Sequence, residues 1–270
     1  MIPDNRWILF LALLAASVLM ACPKSIPPPD NALETPQQLR DAVEARAESI
    51  ASARFLDVVV DYFGEGQRVK VRQLILVKQP SSLRMQTRAP GTDEIMSLLV
   101  SDGEMFAMHR RDTNEYFTGA ATPENIGRLL PVNLSAHDVS RVMLGGAPWD
   151  RFDAFGEEPT MKWDRREGKY RYSVEGPDGG SLTMWVRPTD FAVEEVRQLN
   201  PDDDVVYRYE TDRWKAHGNT VLPAWRRFVW PERDLDFSMD VGETQLNVEL
   251  PEQLFQLPPP AGSEIIQVGR

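Results

Sequence analysis

The chain of 270 residues is poor in the side chains that build most catalytic and metal sites. A single cysteine, Cys22, excludes an intramolecular disulfide and a cysteine-based metal cluster. The three histidines, His109, His137 and His217, lie on different predicted elements and lack metal-ligand spacing. The sequence also lacks a nucleophile motif and a glycine pattern for phosphate binding. We therefore predict no catalytic residue, no metal and no cofactor, and a protein that is not an enzyme.

Positive charge is scarce as well. The chain has 30 Lys and Arg against 41 Asp and Glu, a formal net charge of −11. Because affinity for nucleic acid comes largely from cations that contact phosphates, this balance argues against a nucleic-acid partner. A hydrophobic fraction of 42% with seven Trp is enough to bury a core, so we expect a globular protein.

Only one long apolar run occurs, over residues 7–20. It is shorter than the roughly 20 residues that span a bilayer, and it has the length of a signal-peptide core. The run ends in Leu19-Met20-Ala21-Cys22, which resembles a bacterial lipobox. The resemblance implies cleavage before Cys22, thioether diacylation of its sulfur and acylation of the new amino terminus, which together anchor the chain in a membrane. The alternative is a buried cysteine after an N-terminal core helix.

A proline-rich stretch follows the cysteine. Prolines at 23, 27, 28 and 29 predict a semi-rigid tether over residues 22–34, after a signal peptide over 1–21. Pro23-Lys24 lacks the Asp that signals inner-membrane retention, which favours the outer membrane. Because the domain is acidic, we expect anionic headgroups to repel it, so adhesion to the membrane surface is not a predicted role.

Residues 35–265 read as one domain, followed by a tail over 266–270. Thr35-Pro36-Gln37-Gln38 predicts a capping-box start to a helix that reaches about Arg54. Thr122-Pro123 and Ser135 predict two further short apolar helices. Alternation of apolar and polar residues predicts antiparallel strands over 55–63, 67–78, 82–88, 95–101, 104–111, 114–118, 170–174, 182–186, 191–199, 204–215, 220–230 and 235–250. The prediction is a mainly β (α+β) fold of about 11 strands, with helices over one face of a large curved sheet.

Several short stretches, taken in order, resemble one family. They are Val77-Lys78-Gln79-Pro80, Leu83-Arg84-Met85, residues 98–103, residues 131–135 leading into Leu144-Gly145-Gly146, and residues 255–262. Together they are similar to the LolA/LolB superfamily of periplasmic lipoprotein carriers and receptors, with the LolB-like, DUF4292-type lipoproteins as the subtype. The resemblance spans roughly residues 35–265. It implies a half-open antiparallel β-barrel, closed by a lid of short helices over an apolar cavity that binds acyl chains.

Two positions depart from the family pattern. Gln79 stands where carriers of this family usually have an Arg that latches the lid. The loop over residues 89–93 has no exposed Leu of the kind that assists membrane insertion in the anchored receptors. The resemblance therefore does not extend to a regulated lid or to active insertion.

Alternation together with the resemblance gives candidate acyl-binding residues. The predicted cavity walls are Val58, Val60, Val69, Val71, Ile75, Met85, Met96, Leu98, Phe106, Met108, Leu182 and Met184. The predicted lid residues are Leu39, Val43, Ile126, Leu130, Val142 and Met143. The same side chains are also compatible with a dry core, because alternation identifies an apolar face and not a cavity.

These observations favour a lipoprotein that is anchored through Cys22 and faces the periplasm. Its expected partners are acyl chains of lipoproteins or lipids, the membrane, and a periplasmic carrier protein. The main alternative is a protein-binding or sensor module on the same fold. An enzyme that acts on envelope polymers is a third reading, and it requires two converging carboxylates in a cleft.

Overall fold

A computed structural model describes residues 25–269 apart from 65, 90, 131–133 and 157. Cys22 and the apolar run over residues 7–20 lie outside the described residues, so their predicted processing and lipidation stay predictions. None of the helices within the described ranges is long and apolar enough to cross a membrane.

The described chain forms one sheet of 14 strands with a few short helices. The helices are α1 (Pro36–Glu48), α2 (Pro123–Ile126), α3 (Ala136–Met143) and α4 (Trp149–Phe155), with 3₁₀ turns at Pro231–Arg233 and Glu252–Phe255. The strands are β1 (Ser52–Gly64), β2 (Gln67–Lys78), β3 (Ser82–Arg88), β4 (Ile95–Ser101), β5 (Met105–Arg110), β6 (Glu115–Ala120), β7 (Pro159–Asp164), β8 (Lys169–Glu175), β9 (Ser181–Val186), β10 (Val193–Leu199), β11 (Val205–His217), β12 (Thr220–Trp230), β13 (Leu235–Leu246) and β14 (Glu264–Gln267).

The sheet consists of two antiparallel meanders joined at one long seam. Strands β1 to β6 form the first meander and β7 to β13 the second, with the helices α2, α3 and α4 in the chain between them. The seam is the pairing of β1 with β13, from Ala53 opposite Leu246 to Phe63 opposite Asp236. This topology confirms the predicted mainly antiparallel architecture, as an open sheet with β14 and β7 at its edges.

The predicted strand number is too low because both edge strands were missed. In β7 and β14 most side chains are exposed or half-buried, so neither strand has the alternation that identifies a strand with one buried face. The β14 strand pairs in parallel with β6, from Glu264 opposite Glu115 to Gln267 opposite Thr118. It is the one parallel pairing among the strands described.

The first helix is shorter than predicted. Its capping box is confirmed, since Thr35 Oγ1 accepts from the Gln38 N–H and Gln38 Oε1 accepts from the Thr35 N–H. The helix ends at Glu48, however, and the segment predicted as its last turn enters β1 at Ser52. Ala53 pairs with Val77 on one side and Leu246 on the other, so two strand neighbours outweigh the helix propensity of this segment.

The two faces of the sheet are covered differently. We call the face that packs against the helices the inner face. It carries one large buried cluster that includes Phe55, Ile75, Tyr172 and Tyr209. The opposite, outer face is covered in part by residues 250–257, where Leu250 and Phe255 pack on Leu76.

The C-terminal segment is held on the outer face by hydrogen bonds to its carbonyls. Arg84 Nη1 donates to Leu254 O at 2.7 Å, and Tyr116 Oη donates to Leu257 O at 2.7 Å. Lys78 pairs with Glu252. These contacts cover part of the outer face with the C-terminal segment.

Candidate functional site

A small apolar cavity lies on the inner face, between α3 and the sheet at the seam of the two meanders. Its volume is about 50 Å³. Among the described residues it is lined by Gln73, Ile75, Leu83, Met85, Leu130, Leu134, Val139, Val142, Met143, Phe228, Phe237 and Met239. Sites for ligands of drug-like size usually enclose about 300–1,000 Å³, so the volume of this cavity is too small for such a ligand without a conformational change.

Five of the residues predicted from sequence line this cavity. Ile75 on β2 and Met85 on β3 form part of its floor. Val142 and Met143 on α3, with Leu130 in the segment before it, form part of its cover. The structure therefore brings a subset of the predicted wall and lid residues together, and acyl binding at these residues stays a prediction.

Most of the other predicted residues lie on the inner face but away from the cavity. Val58, Val60, Phe106, Leu182, Met184, Leu39, Val43 and Ile126 are buried in the main core cluster, and Val71 and Met108 are partly buried against it. In the second meander, Trp149, Phe152 and Tyr172 fill the space between α4 and the sheet with edge-to-face aromatic contacts. This half of the inner face is packed core.

Three predicted wall residues do not lie in the core at all. Leu98 packs on the outer face against Val100, Tyr116 and Leu257, so its assignment as a cavity wall is corrected. The reason is that β4 is apolar on both faces, and alternation cannot choose between them. Val69 is 44% exposed and Met96 is 37% exposed.

Sequence reasoning missed the part of the floor that comes from the second meander. Phe228 on β12 with Phe237 and Met239 on β13 line the cavity beside Ile75. Phe237 and Met239 alternate with polar neighbours, which identifies an apolar face of β13, whereas Phe228 is followed by the apolar Val229. Their position next to β2 depends on the β1–β13 seam, for which the sequence carries no local signal.

Gln73 is the one polar side chain in the described lining. Its Nε2 donates to Thr87 Oγ1 at 3.0 Å. Its Oε1 is buried and has no hydrogen-bond partner within the described structure. Because an unpaired buried acceptor is costly, this oxygen is a ready acceptor for an N–H or O–H group of a ligand.

Three side chains bind successive carbonyls at the C-terminal end of α3. Arg226 Nη2 donates to Met143 O at 2.8 Å, Arg46 Nη1 donates to Leu144 O at 2.9 Å, and Tyr209 Oη donates to Val142 O at 3.4 Å. Carbonyls at a helix end have no partner within the helix, so these contacts satisfy them and fasten α3 to the sheet. Gln79 Nε2 lies 3.4 Å from Ala47 O.

Arg226 is completely buried on β12. Its Nη1 donates to Pro223 O at 2.8 Å, and its guanidinium lies 5.4 Å from the centre of the Phe55 ring. Burial lowers the pKa of Arg226 and raises the pKa of the neighbouring Tyr209 to about 12. No carboxylate hydrogen-bonds to Arg226 among the described residues, so its charge is stabilised mainly by carbonyl dipoles.

Asp138 joins the two helices that cover the inner face. Ser135 Oγ accepts from the Asp138 N–H at 3.0 Å, which caps α3 as predicted. The Asp138 carboxylate accepts from the N–H groups of Asp150 and Arg151, at 3.1 and 3.0 Å, and so caps α4. The cap of α4 comes from a residue twelve positions upstream, and α4 was not predicted.

Burial raises the pKa of Asp138 to about 7, and the negative charge of Asp150 is the second cause. The hydrogen bonds from the two backbone N–H groups and the charge of Arg141 lower it by less. The folded protein therefore keeps a proton that the unfolded chain loses near pH 4. We expect the free energy of unfolding to fall as the pH rises from about 4 to 7, by on the order of 4 kcal/mol from this group. In Asp138→Asn this decrease should disappear. Urea unfolding of both chains between pH 5 and 8 measures it, and parallel pH profiles would contradict the assignment.

Metal ligands do not converge in the described part of the chain: it holds no group of three His, Cys, Asp or Glu side chains placed to bind an ion.

No protein-family model matches the sequence, and no curated protein matches it significantly. Solved structures do match its fold. A DUF1329 family protein from Desulfovibrio piger has a TM-score of 0.60 at 11% identity, over 83% of this chain and 98% of that one. A LolA superfamily protein from Nitrosomonas europaea has a TM-score of 0.56 at 11% identity, over 83% and 99%.

A third structure, described as an outer membrane lipoprotein-sorting protein domain from Vibrio parahaemolyticus, has a TM-score of 0.59 at 7% identity, over 81% of this chain and 94% of that one. At these identities the likeness concerns the fold. The described chain therefore has a fold like that of these three structures, with a small apolar cavity under α3.

Proposed function

We propose that this protein is a non-enzymatic lipoprotein that receives acyl chains of lipoproteins or lipids under α3. The observation that carries the proposal is the cavity of about 50 Å³, with apolar walls from both meanders and a cover formed by one short helix. In this proposal Cys22 is lipidated, the anchor lies in the outer membrane, and the domain faces the periplasm. A periplasmic carrier protein delivers the acylated ligand.

The closed volume implies that α3 moves when a ligand binds. A cavity of 50 Å³ holds only a small part of an acyl chain, since typical ligand sites are at least about six times larger. The strands that form the floor are joined by backbone hydrogen bonds, whereas α3 is attached at its C-terminal end by side chains. We therefore place the opening movement in α3 and in the segment before it, with Met85, Met143 and Met239 adapting their shape to the ligand.

The chemistry of the lining favours an uncharged acyl group. No charged side chain lines the cavity among the described residues, so a free fatty-acid carboxylate would lose its hydration there without gaining a cation. The Oε1 atom of Gln73 accepts hydrogen bonds and suits an amide N–H at the head of an acyl chain. An amide-linked chain is present in triacylated lipoproteins, which makes them the preferred ligand class in this proposal.

The structural neighbours support the same direction at the level of fold. One is described as a lipoprotein-sorting domain and another as a LolA superfamily protein. Because their identity to this chain is 7% and 11%, they add to the proposal without identifying a ligand.

The test is site-specific photo-crosslinking in the envelope of a bacterium that processes lipoproteins. A photoreactive amino acid replaces Leu130, a half-buried residue of the cavity cover. The matched control replaces Leu257, a half-buried leucine of the outer face. After proteolysis, mass spectrometry measures the mass added to each peptide.

We expect a lipid or lipopeptide adduct at position 130 and none at position 257. Equal yields at the two positions, or no lipid adduct at 130, would contradict acyl binding under α3.

A second candidate function is a protein-binding module on the same fold. The small cavity favours it, as does the solid aromatic packing of Trp149, Phe152 and Tyr172 over the second meander. In that case the inner face is ordinary core, and the crosslinks at position 130 stay within the chain. A protein adduct at position 257 would identify the outer face as the binding surface.

A further inference from the structure

The first described residues lie against the β7–β8 hairpin at one edge of the sheet. The Ile26 N–H donates to Arg165 O at 2.8 Å, and Trp163 Nε1 donates to Ile26 O at 2.9 Å. The Leu33 N–H donates to Tyr170 Oη at 2.9 Å. The segment that the sequence predicts as a tether is therefore attached to the domain from Ile26 onward.

This attachment limits the distance between the hairpin and any anchor at Cys22. Ile26 follows Cys22 by four residues, which span at most about 14 Å when fully extended. A chain anchored in a membrane through Cys22 therefore keeps the β7–β8 turn within about that distance of the point of attachment. The edge of the sheet that contains β7 becomes the edge nearest the membrane.

The hairpin at this edge is rich in cations, in contrast to the acidic chain as a whole. Lys162, Arg165 and Arg166 are exposed, and Arg171 is half-buried. Within the described structure none of these four forms an ion pair. Lys162 lies directly opposite Arg171 in the β7–β8 pairing, an arrangement of like charges that is unfavourable without an anion nearby.

The acidic groups near the turn of the hairpin are engaged, whereas Glu175, at the far end of β8, is exposed. Asp164 Oδ1 accepts from the N–H groups of Arg166 and Glu167, at 2.9 and 3.1 Å, and so holds the turn. Glu167 and Glu194 pair with Lys169, at 3.4 and 2.6 Å. Arg171 also interacts electrostatically with Asp164. Lys162, Arg165 and Arg166 are therefore the cations most available to an external anion.

We propose that the β7–β8 hairpin docks on the phosphate-bearing headgroups of the membrane that holds the N-terminal anchor. This proposal rests on the proposed function, because the lipid anchor at Cys22 is what brings the hairpin close to the membrane. The cations of the hairpin then attract the headgroups. A net charge of −11 does not prevent it, because ionic screening at physiological salt limits each charge to about 8 Å. The headgroups therefore experience the local electrostatic potential of the hairpin and not the net charge of the whole chain. In this proposal the acidic domain as a whole does not adhere to the membrane, but its hairpin holds it in one orientation at the membrane surface.

The test uses the full chain, purified in detergent and reconstituted into vesicles of phosphatidylcholine with one part in four of phosphatidylglycerol. A fluorophore is attached to Glu167→Cys at the hairpin turn or, as a matched site, to Asp112→Cys in the exposed turn between β5 and β6. Quenching by a lipid with a nitroxide on its headgroup reports which turn lies at the membrane surface.

Two sets of substitutions then separate docking from net charge. The first set is Lys162→Gln, Arg165→Gln and Arg166→Gln. The second set is Lys70→Gln, Arg111→Gln and Arg233→Gln, three exposed cations that form no ion pair with a described residue and lie away from the hairpin. Both sets remove three positive charges.

We expect stronger quenching at position 167 than at 112. In the first set only, the quenching at 167 should fall to the lower level that the anchor alone maintains. Each cation near an anionic surface changes the docking equilibrium about fivefold, so the first set should weaken docking on the order of 100-fold. Equal quenching at both positions, or unchanged quenching in the first set, would overturn the proposal. Labelling of the parent chain reports a free Cys22 thiol, which counts against the lipid anchor separately from the docking.

Discussion

Val142→Phe should abolish the lipid adduct at position 130 while leaving the protein at least as stable as the parent. Val142 lines the cavity from α3 and is 1% exposed, so a larger ring at this position projects into the empty space. Filling a cavity of about 50 Å³ is worth up to about 1 kcal/mol in the free energy of unfolding, at roughly 24 cal/mol per Å³. Urea unfolding and the crosslinking yield measure the two effects on one variant.

The control for this variant is Met85→Leu, which changes the shape of the cavity floor and nearly conserves its volume. Such exchanges usually cost less than about 1.5 kcal/mol, so the protein should fold and keep its lipid adduct. The combination of a lost adduct and unchanged stability is the informative result, because a collapsed structure would lose both. An adduct that persists in Val142→Phe would mean that the acyl chain contacts position 130 from outside the cavity.

Arg226→Met should release α3 from the sheet. The substitution removes the donors to Met143 O and Pro223 O, and each buried carbonyl left without a partner costs about 1–3 kcal/mol. Part of this cost is offset because a buried guanidinium no longer has to be desolvated. We expect a net loss of about 3 kcal/mol in the free energy of unfolding and faster hydrogen exchange of the amides over residues 136–146.

The matched control for Arg226→Met is Arg84→Met. Arg84 also donates to a backbone carbonyl, Leu254 O at 2.7 Å, and its pKa is likewise lowered by burial. It acts on the C-terminal segment of the outer face, so its loss should leave the exchange of the α3 amides unchanged. If α3 exchanges at the parental rate in Arg226→Met, or accelerates equally in Arg84→Met, the Arg226 contact is not what holds the helix.

Val142→Phe and Arg226→Met should change ligand uptake in opposite directions. Val142→Phe blocks the space that an acyl chain must enter, whereas Arg226→Met lowers the cost of moving the cover away from it. A faster appearance of the lipid adduct in Arg226→Met would indicate that opening of α3 limits the rate of loading. Arg226 on β12 and Arg46 on α1 hold the C-terminal end of α3 through its carbonyl groups.

Local features of the fold were predictable because their physical causes lie within a few residues. The capping box at Thr35 and the bounds of β2, β3 and β4 agree with the structure. The turn after β4 also has a local cause, since Asp102 Oδ1 accepts from the N–H groups of Glu104 and Met105. Gly103 in that turn has φ 101°, a conformation that side chains with a Cβ rarely adopt.

Features that depend on distant parts of the chain were not predictable. Asp138 looked like the third residue of its own helix, yet its carboxylate caps α4. Leu98 looked like a cavity wall, yet it packs against the outer-face cluster of Val100, Ala107 and Tyr116, on which Leu257 of the C-terminal segment also packs. Alternation and capping are properties of single segments, and they contain no information on which segments meet.

The amino-acid sequence was sufficient to predict an acidic, mainly antiparallel β chain with short capped helices. This was possible because side-chain periodicity and helix capping depend on residues that are close together in the chain. Only the tertiary structure decided where the cavity lies and what closes it. The β1–β13 seam brings Phe237 and Ile75 into the lining of one cavity, and a buried Arg226 reaches the end of α3. These contacts join residues far apart in the chain, and the balance of burial and hydrogen bonding that selects them exists only in the folded state.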